Sequence, residues 1–106
     1  MVDHVRLAAF AALRAVDERD AYANLVLPSI LSDHRITGRD AAFATELVHG
    51  TLRMRGAYDA VIGQVASRGL ESLDAPVLDA LRMGAHQVLS MRVSAHAAVS
   101  ETVDVV

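Results

Sequence analysis

Apolar residues recur along the chain at helical spacing, and no stretch of β-branched residues keeps a clean period of two. The spacing predicts a first helix over Asp3 to Glu18, with Val5, Ala9, Leu13 and Val16 on one stripe. Its small alanines would admit a neighbouring helix at about 8 Å. Asp20 is positioned to cap a second helix reaching Asp33 and carrying Leu25, Ile30 and Leu31. Pro28 lies inside it and removes a hydrogen bond to Asn24, so the helix bends or restarts there, and a kink is favoured.

Thr37-Gly38-Arg39-Asp40 reads as the next helix start, with Thr37 as cap and Asp40 favoured by the helix dipole. The third helix has the clearest stripe, Phe43, Leu47, Gly50 and Met54. Gly50 on that buried line costs about 1 kcal/mol relative to Ala, which points to close backbone contact with another helix. Gly56 is expected to break or bend the third helix, and Tyr58, Val61, Ile62 and Val65 carry the fourth, which Arg68-Gly69 ends.

Asp74-Ala75-Pro76 begins a fifth helix whose stripe is Leu78, Leu81, Ala85, Val88 and Arg92, with Leu89 beside it. Ser94 caps a sixth, holding Val99, Thr102, Val103 and Val106, and no stop signal follows. The expected fold is therefore an all-α bundle of about six helices that ends in mid-stripe. A bundle cut short there would expose an apolar groove. A following helix would fill that groove, or a second copy would, by swapping or dimerising.

Composition narrows this picture. The chain has 106 residues, enough for one domain with a modest core. It has no cysteine, which excludes a disulfide framework, thiolate metal sites and a thiol nucleophile. The longest apolar run, Leu7 to Leu13, is well short of the ~18 residues a transmembrane helix needs. Nothing resembles a signal peptide, so the expected setting is cytoplasmic and away from membranes. All ten basic charges are arginine, beside nineteen alanines and fourteen valines, a balance that GC-rich codons would produce. The formal net charge of −3 argues mildly against strong nucleic-acid binding, although local clustering matters more than the sum.

Enzymatic chemistry finds little support. Glu46 and His49 share the spacing of di-iron ligands, but a second Glu-x-x-His is missing. The glycines are scattered, with no phosphate-cradling loop. Ser94 is better explained as a helix cap than as a nucleophile. Arginine placement says more. Arg6 and Arg14 lie on the first helix, Arg35 and Arg39 flank the start of the third, and Arg53 and Arg55 bracket its end. Arg82 and His86 share one face of the fifth helix, roughly opposite part of its apolar stripe. These eight are the candidate RNA contacts, since forked guanidinium donors match phosphate; the plainer alternative is solvated faces and dipole partners.

Several stretches taken together carry a resemblance. They are Tyr22-Ala-Asn-Leu-Val-Leu-Pro28, Arg39-Asp-Ala-Ala-Phe-Ala-Thr-Glu-Leu-Val-His-Gly-Thr-Leu-Arg53 and Arg55-Gly-Ala-Tyr-Asp59. Leu81-Arg-Met-Gly-Ala-His-Gln-Val-Leu89 and Met91-Arg-Val-Ser-Ala-His-Ala-Ala-Val-Ser-Glu-Thr-Val-Asp104 follow. In order and spacing they resemble the NusB-like N-terminal domain of the RsmB (Sun, Fmu) rRNA cytosine-C5 methyltransferases, from about Arg6 to Val106. Ser94 departs from the proline usual there but keeps a cap.

The resemblance implies a NusB fold in two helical subdomains, here without the family's last helix. It also implies a non-catalytic RNA-binding role, with ribosomal RNA and the parent enzyme's own catalytic domain as partners. No cofactor is expected within this chain; S-adenosylmethionine and a cysteine pair would belong to the parent's other domain. A docking module with little RNA affinity and a free-standing antitermination factor are the alternatives. Free-standing NusB proteins have an Arg-rich N-terminus, where this chain has only Arg6 and Arg14.

Overall fold

Local capping sets where most helices begin and end. In the structure, a computed structural model describing residues 3–105, Asp3 caps α1 (His4–Arg19) by accepting from the Val5 and Arg6 amides. Asp20 does not open the second helix as expected. It closes α1 in the left-handed region at φ 52°, its amide donating to the Ala15 carbonyl, and Tyr22 takes the N-cap position of α2 (Ala23–Asp33). A short polar side chain tolerates that conformation better than most. Nor does Pro28 restart the helix, since α2 continues across it as one element.

Thr37 occupies the N-cap position of α3 (Gly38–Arg53), without a side-chain hydrogen bond. The break between α3 and α4 (Arg55–Val65) falls at Met54 rather than Gly56, which lies in the first turn of α4. Gly69, at φ 84°, leads through a single 3₁₀ turn at Leu70–Ser72 to α5 (Ala75–Leu89). Ser94 caps α6 (Ala95–Val103) as expected, accepting from the Ala97 amide. All six expected helices are present, and the described residues contain no strand.

Two groups of helices share one interior. α1, α2 and α3 pack on one another, α5 packs between α4 and α6, and α5 also meets α1 and α3. The central cluster joins Ala9, Ala12 and Leu13 of α1 to Leu27 of α2, Leu47 and Val48 of α3 and Met83 of α5. The alanines at 8, 9, 12 and 15 are all buried, which rotates the contact face of α1 away from Val5 and Val16. In α4, Tyr58 and Ile62 face inward, whereas Val61 and Val65 are exposed.

The fifth helix departs furthest from its sequence pattern. Its expected apolar stripe is the more open side, with Leu81, Val88 and Leu89 exposed. Its buried side is polar around Met83: Asp79, Arg82, His86 and Gln87. Arg82 and His86 are thus corrected from an outer face to the interior, at 8% and 1% exposure. Val99 and Val103 of α6 are also open, and the expected stripe position Val106 lies outside the described residues.

Candidate nucleic-acid interface and the polar seam behind it

The arginines divide into an inward and an outward set. Inward, Asp79 of α5 accepts from Arg14 of α1 at 2.7 Å and from Arg82 at 3.1 Å. Arg82 grips Asp59 of α4 through two bonds, at 2.6 and 2.9 Å. Four charged side chains from three helices therefore satisfy one another, as burial requires. Burial still holds the Asp79 carboxyl above the usual range, and the Arg14 and Arg82 bonds only partly offset it.

One turn along α5, Gln87 accepts from Arg6 Nε at 2.6 Å and donates to Thr102 Oγ1 of α6 at 2.9 Å. The Arg6 guanidinium also pairs with Asp3 and lies 5.1 Å from the Phe43 ring centre. Burial opposes ionisation of Asp3, but the Arg6 and Val5 bonds outweigh it and hold its carboxyl low.

His86 lies between α3 and α4. Its Nε2 is 2.8 Å from Glu46 Oε2, and its Nδ1 is 2.6 Å from the Tyr58 hydroxyl, which is 2.8 Å from Ser90 Oγ. A carboxylate only accepts, so Nε2 carries a proton; while the imidazole is neutral, Tyr58 donates to Nδ1 and Ser90 donates to Tyr58. The bond from His86 outweighs the opposing effect of burial and, aided by Arg53, holds the Glu46 carboxyl below its ordinary value. Gly50 makes room for this arrangement, because a Cβ there would collide with the imidazole and with Glu46. The close neighbour predicted for Gly50 is thus a side chain of α5 and not a helix backbone.

The outward set is Arg19, Arg35, Arg39, Arg53, Arg55, Arg68 and Arg92. Arg53 has Glu46 at 3.5 Å and Arg55 has Asp17 at 3.9 Å, both loose and solvent-facing. Among the described residues the other five form no ion pair. Of the eight candidates, then, Arg35, Arg39, Arg53 and Arg55 present donors to solvent. Arg6 and Arg14 are half-buried and internally engaged, and Arg82 and His86 are withdrawn altogether. Arg19, Arg68 and Arg92 are exposed cations that arginine spacing had not singled out.

The seam itself had a legible signal. Asp79, Arg82, His86 and Gln87 follow i, i+3, i+7 and i+8, so the polar residues of α5 form a stripe as regular as its apolar one. Glu46, considered above with His49 for its ligand spacing, engages His86. Among the described residues no cluster of three or more His, Asp or Glu is arranged to hold a metal.

The stripe left open on α5 forms, with α6, an apolar groove of about 440 Å³ whose walls include Val77, Leu81, Val88, Ala98, Val99 and Val103. No described helix is long and apolar enough to cross a membrane.

Comparison with known proteins matches residues 3–106 to the model of the NusB family. The "Putative methyltransferase" of Mycobacterium tuberculosis strain H37Rv is 59% identical over 103 residues, which are 97% of this chain and 22% of that protein. The "Ribosomal RNA small subunit methyltransferase B" of Pseudomonas putida is 36% identical over 98 residues, 92% of this chain and 22% of its own length. That of Erwinia tasmaniensis is 31% identical over 101 residues, 95% and 23% respectively. The chain thus spans less than a quarter of the curated relatives it matches. No solved structure matches it.

Proposed function

The chain belongs to the NusB family, and from that premise we propose that it positions RNA for a small-subunit rRNA cytosine-C5 methyltransferase whose catalytic part is another stretch of polypeptide. The observation that carries this reading is the division of the arginines. The inward guanidiniums are used up by Asp3, Asp59, Asp79 and Gln87, whereas Arg35 and Arg39 at the α2–α3 corner and Arg53 and Arg55 at the α3–α4 corner keep donors toward solvent. Such contacts hold a phosphate backbone without reading sequence, a role for a domain that presents RNA to a separate active centre.

The groove between α5 and α6 does not suit S-adenosylmethionine. That ligand needs polar groups for its ribose, base and carboxylate, whereas the groove between α5 and α6 is walled by aliphatic side chains. With no cysteine in the chain, attack on cytosine by a thiolate also lies elsewhere.

RNA affinity measured against salt concentration tests the proposal. Binding of a small-subunit rRNA fragment should fall steeply with salt. Each of Arg35→Ala, Arg39→Ala, Arg53→Ala and Arg55→Ala that removes a phosphate contact should lower the log–log slope by about one. Affinity absent at low salt, or slopes unmoved by all four changes, would sink it.

The groove favours a second role for the same domain. An aliphatic channel of this size suits an amphipathic segment from the remaining polypeptide of the parent enzyme, or a second copy of the chain when that polypeptide is missing. A free-standing antitermination factor ranks lower, because the relatives described above carry methyltransferase names.

A further inference from the structure

Glu46 faces two nitrogen donors of different kinds. Its carboxylate accepts from buried His86 at 2.8 Å and faces exposed Arg53 at 3.5 Å. While the imidazole is neutral, the Glu46 charge is left to offset Arg53. Once the imidazole is protonated, it takes that charge, and the three groups together pass from neutral to singly positive.

We infer that protonation of His86 strengthens the grip of Arg53 on an RNA phosphate, with Glu46 as the link; this rests on the RNA-positioning reading above. Geometry allows the proton in without breaking the seam. With a hydrogen on both ring nitrogens, Nδ1 donates to Tyr58, and the Tyr58 hydroxyl turns to donate to Ser90, which is exposed. Both of these bonds survive with their direction reversed, and Nε2 goes on donating to Glu46.

The charges around His86 leave Glu46 as its ionic partner. From α4 come Tyr58 and Asp59, and Asp59 is held by Arg82. On α5 itself, Asp79 pairs with Arg82 and with Arg14 of α1. Arg6 of α1 is bound to Asp3 and Gln87, and α6 offers Gln87 the uncharged Thr102 hydroxyl. Because linkage is reciprocal, a phosphate bound at Arg53 also raises the proton affinity of His86.

The test uses the 106-residue chain, its Glu46→Gln variant and a single-stranded rRNA fragment. Wild-type affinity should rise about two- to fivefold between about pH 8 and about pH 5.5, the range of an exposed, screened ion pair. Glu46→Gln should bind at the higher pH nearly as tightly as wild type does at the lower, with most of the pH dependence gone. Any slope left in the variant is the part that does not pass through Glu46. A variant with the full wild-type slope overturns the link, as does a His86 ring whose NMR signals fail to titrate in this window. If neither protein binds RNA, the Arg53 guanidinium resonances decide. Moving in step with the His86 titration, they uphold the link while the RNA reading falls; staying still, they overturn the link as well.

Discussion

Gly50 on α3 and His86 on α5 occupy one another's space: the imidazole fills the volume a side chain at position 50 would need. Gly50→Ala should therefore destabilise the fold by about 2 kcal/mol, because overpacking against a buried ring outweighs the ~1 kcal/mol that alanine gains in a helix. Gly84→Ala is the contrast. A Cβ at Gly84 meets nothing within 4 Å, so that change should stabilise by up to about 1 kcal/mol. Urea unfolding midpoints of the two variants should move in opposite directions.

The sign of that contrast was half legible in the sequence. Periodicity located all six helices, because each has a face that must be buried and most have a cap residue in place. It misjudged α5, where two regular stripes compete and hydrophobicity alone favours the wrong one. Leu81 and Val88 line an open groove, while Asp79, Arg82 and His86 go inside because Arg14, Asp59, Tyr58 and Glu46 complete them. Those partners lie on three other helices, and no local pattern announces that they will converge. The outward arginines at positions 35, 39, 53 and 55 were legible because corners between helices are exposed whatever the core does.

Acid should unfold the protein partly through Glu46. Its folded-state value is lowered, so its contribution is fully present above the ordinary glutamate range and is lost as pH falls through the folded value. Between about pH 5 and about pH 3 wild type should lose more stability than Glu46→Gln. Asp79 has the opposite sign. With its folded-state value raised by burial, its contribution is present below the ordinary aspartate range and lost as pH rises through the folded value. The stability of Asp79→Asn relative to wild type should thus improve as pH climbs above about 4. Denaturant melts across this range check both slopes, and parallel curves for wild type and either variant would contradict the assignment.

Val99 stands on the wall of the α5–α6 groove at 62% exposure, so Val99→Glu should alter folding stability by no more than about 0.5 kcal/mol. Its effect should fall on association. The 106-residue chain is expected to self-associate through the groove, and the introduced charge should make its sedimentation independent of concentration. Association that survives the change lies on another face.

Arg35 and Arg92 both sit in the left-handed region, at φ 56° and 59°, just past the ends of α2 and α5. The residues after them close the helix ends, Ile36 N–H donating to the Leu31 carbonyl at 2.9 Å and Val93 N–H to the Gln87 carbonyl at 3.0 Å. An arginine in this conformation costs roughly 1 kcal/mol that glycine avoids, and the greater freedom of glycine in the unfolded chain returns part of it. Arg35→Gly and Arg92→Gly should each stabilise the fold by about 0.5 kcal/mol. If Arg35 holds a phosphate, its variant should also bind RNA more weakly and with a salt slope lower by about one. Stability and affinity would then move apart at a single position, a result that damage to the fold cannot imitate. A stabilised Arg35→Gly with unchanged RNA affinity would instead leave Arg35 as a helix-end residue and place the phosphate contacts on Arg39, Arg53 and Arg55.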